Sequence, residues 1–191
     1  ATEVGAALAF AALQNNDKVG LAVFTDGLER WLPPRKGRRH VLAVIREILA
    51  YEPRGKKTAI GPSLERLTRM LKRRCIVILI SDFRDSGFER ALKLCALKHD
   101  LISIVVEDPR ESALPAAAAL VSVRDPETGA EGVFDLRADA AAFAREEAAR
   151  RADLDKIFRA SGVEAIHVTT DKPSIDPLLA FFRKRAKRRS R

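Results

Sequence analysis

The spacing of apolar positions changes along the chain, and the changes mark out its elements. Residues 1–14 are apolar and alanine-rich and predict a helix, ended by Asn15, Asn16 and Asp17. Residues 18–25 (KVGLAVFT) are of β type, and residues 28–32 predict an antiparallel return after Asp26-Gly27. Asp-Gly between two such runs predicts a type I′ turn, whose central positions both need φ > 0. Pro33 and Pro34 are expected to stop the return strand, since proline donates nothing to a ladder. After Gly37, the residues Val41, Val44, Ile45, Ile48 and Leu49 recur at helical spacing. A polar loop over 52–57 leads to a second helix over 60–71. Residues 75–81 (CIVILIS) and 101–106 (LISIVV) are apolar at nearly every position, which predicts strands buried on both faces. A helix over 88–98 lies between them.

The runs 120–123 and 132–136 flank Asp125-Pro126-Glu127-Thr128-Gly129, a turn sequence, and predict a hairpin insertion over 116–137. A helix over 138–160, a strand over 163–168 and a helix over 174–187 follow, with a basic tail over 183–191. Strands alternating with helices predict one α/β domain over 1–191. Its expected architecture is a doubly wound, mostly parallel sheet of Rossmann type, with one antiparallel edge strand and a β-hairpin insertion. Ligands of such sheets sit outside the carboxyl ends of the strands. That rule directs attention to Asp26, to the loop before Ile60, and to Asp82.

Composition narrows the class. The 191 residues are 47% hydrophobic, enough for one packed core, and no run approaches the roughly 18 apolar residues of a membrane span. A chain opening directly into alanine-rich helix is expected to carry no signal peptide. Two cysteines, Cys75 and Cys95, both in apolar stretches, predict buried reduced thiols in a cytoplasmic protein. Lys+Arg 35 against Asp+Glu 26 leaves a net charge of +9, which favours an anionic partner. The excess concentrates in two places. Arg35, Lys36, Arg38, Arg39 and His40 crowd a helix start that already carries positive dipole character, a candidate partner- or anion-binding run beside the plainer reading of a solvated loop. The tail over 183–191 is the candidate contact for an anionic membrane surface. Nucleic acid is not an expected partner, because no Tyr or Trp interleaves these basic runs for base stacking.

Most catalytic signatures are missing. No G-x-G-x-x-G follows a strand, and Gly55-Lys56-Lys57-Thr58 lacks the upstream glycine of a P-loop. His40, His99 and His167 are far apart, neither cysteine has a C-x-x-C partner, and no G-x-S-x-G elbow occurs. Asp82 after an apolar strand could be a phospho-acceptor, with Asp85 close by but not at D-x-D spacing. What remains is a hydroxyl, Thr58, at a loop-to-helix junction and a carboxylate, Asp82, at a strand tip. Both are oxygen donors of the type hard divalent cations take. Their ordinary alternative is capping, Thr58 for the helix that follows it and Asp82 for a helix starting near Ser86.

The order of these pieces resembles the bacterial von Willebrand factor A-like proteins encoded beside MoxR-type AAA+ ATPases. The matching segments are FTDG, LPPRKGRRH, GKKTAIGPSLERL, ISDF, KHDLISIVVEDPRE, RDPETGAE and SGVEAIHVTTDKPSIDPLLAFFRKR, which together cover nearly the whole chain. The resemblance implies a metal-ion-dependent adhesion site, in which Thr58 matches the family's Thr and Asp82 its strand-end Asp. The family's D-x-S-x-S is not found here, so the resemblance implies half an ion site for Mg2+. It also implies a first, central strand lying before Ala1, and hence a vacancy beside the strand ending at Thr25. Membrane-spanning helices upstream, with this part on the cytoplasmic side, are a further family trait.

The function expected on this basis is a non-enzymatic interaction module, partner or adaptor of a MoxR-type ATPase and its client proteins in maturation or complex assembly. Two other classes are weighed against it. One is a Mg2+-dependent phosphotransfer or hydrolytic enzyme centred on Asp82, which requires a second carboxylate beside it. The other is a basic nucleic-acid binder, which requires steep salt dependence.

Overall fold

The computed structural model describes residues 1–55, 57–109, 120–124, 131–173 and 175–189. In chain order the elements are α1 (Thr2–Gln14), β1 (Val19–Phe24), β2 (Leu28–Arg35), α2 (Arg38–Ala50), α3 (Ile60–Met70), β3 (Ile76–Ser81), α4 (Glu89–Lys98) and β4 (Asp100–Glu107). Then come β5 (Leu120–Arg124), β6 (Glu131–Asp135), α5 (Leu136–Ser161), β7 (Glu164–Thr169) and α6 (Ile175–Arg189). The expected turn over 125–129, residues 116–119 of the expected insertion, the expected helix start at Ser174 and the last two residues of the tail lie outside the described residues. The strands on either side of that turn do pair antiparallel, Leu120 with Asp135 and Arg124 with Glu131.

The strands β3, β4 and β7 form a parallel sheet with β4 in the middle, Ile76 opposite Asp100 and Ile102 opposite Glu164. Helices cover both faces. On one, Leu64 of α3, Leu92 of α4 and Phe158 of α5 pack against Val77, Leu79, Leu101 and Val105. On the other, Val4 of α1 and Leu178 of α6 close over Ile102, Ile104, Ile166 and Val168. The parallel strands and helices on both faces are those of an α/β fold. The hairpin β1–β2 packs through a third cluster, Ala9, Val41 and Val44, held between α1 and α2.

One main sheet and a hairpin insertion were expected; among the described residues the main sheet is divided, and with the β5–β6 hairpin there are three sheets. The hairpin and the parallel sheet share no ladder, so β1 and β3 each have an edge with no strand beside it among the described residues. This changes the burial of β3. Its residues Val77 and Leu79 are buried, whereas Ile78 and Ile80 are half-buried and Ile76 is 54% exposed. The expectation of burial on both faces holds for β4, flanked on both sides and buried from Leu101 to Val105. It does not hold for β3, flanked on one side only.

The strands β1 and β3 nevertheless end at the same place. The amide of Ala59 donates to the Thr25 carbonyl at the end of β1 (2.7 Å), and the amide of Ile60 donates to Asp85, four residues past the end of β3 (2.8 Å). One junction, the start of α3, therefore touches the carboxyl ends of both strands.

Three local expectations are corrected. The β1–β2 turn is not type I′, since neither Asp26 nor Gly27 has positive φ. Instead the Thr25 amide donates to the Gly27 carbonyl (2.9 Å) and the register slips between Val23 and Phe24. The prolines do not stop β2, which continues through Pro33 and Pro34 to Arg35, paired with Val19. A strand at a sheet edge tolerates proline because its outer N–H groups need no partner. Opposite the prolines lies Gly20, where a Cβ would stand 2.9 Å from the Leu32 carbonyl oxygen and 3.0 Å from Pro34. Lastly, Cys75 is half-buried rather than buried, while Cys95 is fully enclosed, and both are free thiols.

Candidate functional site: the carboxyl-end rim

The loops at the carboxyl ends of β1 and β3 meet around the start of α3. Neither residue expected as a cap fills that role. The residue before α3 is Ala59, not Thr58, and it makes no side-chain cap. Asp85 supplies the cap from a distant loop, its Oδ2 accepting the Ile60 amide and its Oδ1 the Ser86 amide (2.8 Å each). A carboxylate there satisfies one of the helix's four unpaired N–H groups and complements its dipole. Asp82 is likewise not the cap of α4, which begins only at Glu89. Its Oδ1 accepts the Arg84 amide and the Ser81 hydroxyl (3.3 Å each), and its side chain is exposed. Thr58 is half-buried, two residues before the amide that Asp85 holds. Asp85 thus carries the loop of Asp82 to the loop of Thr58.

The Asp82 loop is anchored from beneath by its neighbour. Phe83 is 3% exposed and lies edge-on to Phe158 (5.1 Å between centroids) and tilted against Phe88 (5.8 Å). Its φ is 55°, in the left-handed region that bulky residues rarely adopt. Buried aromatic contacts hold this backbone turn, and the turn leaves Asp82 facing solvent.

The Thr58 loop is anchored by Glu29, a residue that no motif singled out. The Thr25 hydroxyl, the Gly55 amide (2.8 Å), the Arg54 amide (3.1 Å) and the Tyr51 hydroxyl (2.9 Å) all donate to its carboxylate. Hydrogen bonds from Thr25 first, then from the backbone of Gly55 and Arg54, hold the Glu29 carboxyl down at about 2. Asp26 accepts the Lys57 amide (2.9 Å). Gly55 lies so close to Thr25 and Asp26 that a Cβ would collide with both side chains.

A second set of charges pins α5 to this end of the sheet. Arg151 makes a two-pronged contact with Glu107, the buried last residue of β4 (2.9 and 2.5 Å). His167 approaches the same carboxylate (3.8 Å) and bonds Asp155 (3.1 Å). Closer to Asp82, Glu147 joins Arg150 (3.0 Å) and Arg84 (3.2 Å). Burial pushes the Glu147 carboxyl up, and the bonds and charges of the two arginines outweigh it, leaving it below the usual range.

The other expected binding residues lie at the opposite end. Arg35, Lys36, Arg38 and Arg39 are exposed there, around a Gly37 with φ 104°. His40 is turned inward, its Nε2 donating to the Val19 carbonyl (2.8 Å), so its hydrogen bond belongs to the fold. The tail is not wholly solvent-facing. Arg185 pairs with Asp100 and Glu164 (3.3 Å to the latter) and lies over the Phe181 ring, and Arg188 pairs with Glu164 (3.1 Å). At this end too, Cys75 Sγ lies 3.6 Å from His99 Nδ1. Burial pushes the thiol up and the imidazole down, so both are held neutral, the reverse of an activated nucleophile pair.

Residues 1–153 match the model of the family described as "Protein of unknown function DUF58". The chain belongs to the DUF58 family. Uncharacterized protein Rv1480 of Mycobacterium tuberculosis is 29% identical over 97% of this chain. The chain spans 59% of the length of that relative and of Uncharacterized protein Mb1516 of Mycobacterium bovis. Uncharacterized protein MAV169 of Mycobacterium avium is 32% identical over 81% of this chain and 93% of its own length. Among solved structures, the conserved hypothetical protein BatB from Bacteroides thetaiotaomicron covers the whole of this DUF58 chain and 89% of its own, with a TM-score of 0.59 and 18% identity. That likeness concerns the fold.

Proposed function

We propose that this DUF58 chain is a non-enzymatic protein-interaction module of von Willebrand factor A type. In this reading it serves as adaptor between a MoxR-type AAA+ ATPase and client proteins in maturation or assembly. Its partner-facing end is the carboxyl-end rim. The observation that supports this best is the Asp85–Ile60 bond, which gathers the Asp82 and Thr58 loops onto one junction.

A divalent cation, when bound there, supplies a positive charge to which a partner carboxylate can bind. The donors suited to it are the Asp82 carboxylate and the Thr58 hydroxyl, oxygen ligands of the kind Mg2+ takes. Among the described residues no three His, Cys, Asp or Glu side chains are grouped to hold a metal. Asp82 and Thr58 would therefore hold Mg2+ only with further oxygen ligands from water and from the partner. Phe83 and Glu29 orient the two donor loops.

The test is capture of a MoxR-type AAA+ ATPase, with and without Mg2+. Asp82→Ala is expected to weaken capture at least tenfold and to remove its Mg2+ dependence, while leaving the unfolding midpoint in place because the side chain is exposed. Capture that Asp82→Ala leaves unchanged overturns the metal-bridge reading.

A further inference from the structure

The fold sorts charge by end. Because β1 and β3 run the same way, their amino ends share the face opposite the rim. Arg35 pairs with Val19 at the start of β1, so the basic run 35–39 lies at that face. The exposed run 72–74 leads into β3 at the same face, and Lys98 leads into β4. These segments are far apart in sequence, and only the topology brings them together. Among the described loops and strand starts at this end the acidic residues are Asp17, Asp100 and Glu164, and the last two are taken up by Arg185 and Arg188. The paired tail arginines cancel the acids of the face, and the other basic runs set its charge.

The same face displays apolar side chains among its cations. Leu97, in the last turn of α4, is 74% exposed, and Ile76, the first residue of β3, is 54% exposed. Phe10, in the last turns of α1, is 52% exposed and Leu42, early in α2, 47%. Phosphate chains of nucleic acid reward the cations of such a face but not its Leu, Ile and Phe. An anionic bilayer rewards both, since headgroups attract Lys and Arg while apolar side chains enter the acyl boundary.

We propose that the face at the amino ends of the strands docks on an anionic lipid surface, leaving the carboxyl-end rim directed away from it. This goes beyond the adaptor reading and does not depend on it.

The experiment is co-sedimentation of the 191-residue chain with phosphatidylcholine vesicles, with and without phosphatidylserine, at low and physiological salt. Binding is expected with phosphatidylserine only, falling as salt rises. Arg73→Glu/Arg74→Glu is expected to reduce partitioning at least about twentyfold, from roughly fivefold per charge near such a surface. Lys172→Glu, an exposed position beyond the carboxyl end of β7, is expected to leave it unchanged, and circular dichroism checks that each variant is folded. Leu97→Ser is expected to weaken binding severalfold at constant charge. No sedimentation at low salt, or an equal loss in Lys172→Glu, overturns the proposal. So does binding that Leu97→Ser leaves unchanged and that duplex DNA competes away, which would mark a general polyanion surface.

Discussion

Asp85 accepts the backbone amide of Ile60 across 25 residues of sequence, so the first turn of α3 is capped by the loop that follows β3. Removing a helix cap costs about 1 kcal/mol, up to about 2. Asp85→Ala is therefore expected to lower stability by about 1–2 kcal/mol, which moves the midpoint by roughly 2–8 °C in a chain of this size. Asp85→Asn is expected to recover most of the loss. Thermal and urea unfolding check both, and an Asp85→Ala midpoint equal to that of the parent contradicts the capping role.

The Glu29 carboxyl is held at about 2 against an ordinary 4.5. A depressed carboxyl stabilises the folded state fully above the unfolded value and loses that contribution as pH falls through the folded one. The stabilisation is thus complete above about pH 4.5 and decays between 4.5 and 2. Glu29→Gln is expected to lower the midpoint at neutral pH, and the gap from the parent is expected to close on acidification through that window. A gap independent of pH would show that the charged form is not what holds the 51–55 loop.

Phe83 combines near-complete burial with a left-handed backbone. Phe83→Ala is expected to cost about 3–5 kcal/mol, as large-to-small core substitutions of this type do. Phe83→Gly is expected to be less harmful than loss of the ring alone would give, since glycine adopts positive φ freely. Urea titration of the two variants checks the order. Phe83→Gly falling well below Phe83→Ala would mean that the φ of this position carries little strain.

Arg151 answers a carboxylate, Glu107, that is 8% exposed. Arg151→Met leaves that carboxylate buried without its two-pronged partner, at a cost of about 2 kcal/mol. Arg151→Met/Glu107→Leu removes both charges and is expected to regain most of it, as replacing buried ion pairs by apolar residues often does. A double-mutant cycle in urea measures the coupling, and a coupling near zero would remove this pair from the ties that hold α5.

What could be read from residues alone follows from the range of the interactions involved. The spacing of Val41, Val44, Ile45 and Ile48 predicted α2, and the almost wholly apolar run 101–106 predicted the buried β4, because such patterns are local properties of the sequence. Thr58 and Asp82 were placed near one end of the sheet by the rule for strand ends. Asp85 was noticed only as a neighbour of Asp82, since capping across 25 residues leaves no mark at helical spacing. Glu29 looked like one more polar residue of a return strand; its donors come from 51–55, which only the tertiary fold brings near. The half-burial of β3 was invisible in CIVILIS, because a strand's burial depends on which strands stand beside it. Arg185 was counted with a basic tail free to meet an anionic surface, although Asp100 and Glu164 hold it.

The open edges of β1 and β3 have a consequence for motion. With no ladder between them among the described residues, the hairpin and the parallel sheet are joined by α1, α3 and the loop on Glu29. Amide exchange should then be graded across one sheet, slowest in β4 between its two neighbours and faster along the outer edge of β3. The hairpin with α2 is then expected to exchange as a separate unit that opens while β4 and β7 stay paired. The junction of Thr58 and Asp82 lies on the seam between those units, so whatever grips both residues also fastens the two halves of the molecule to each other.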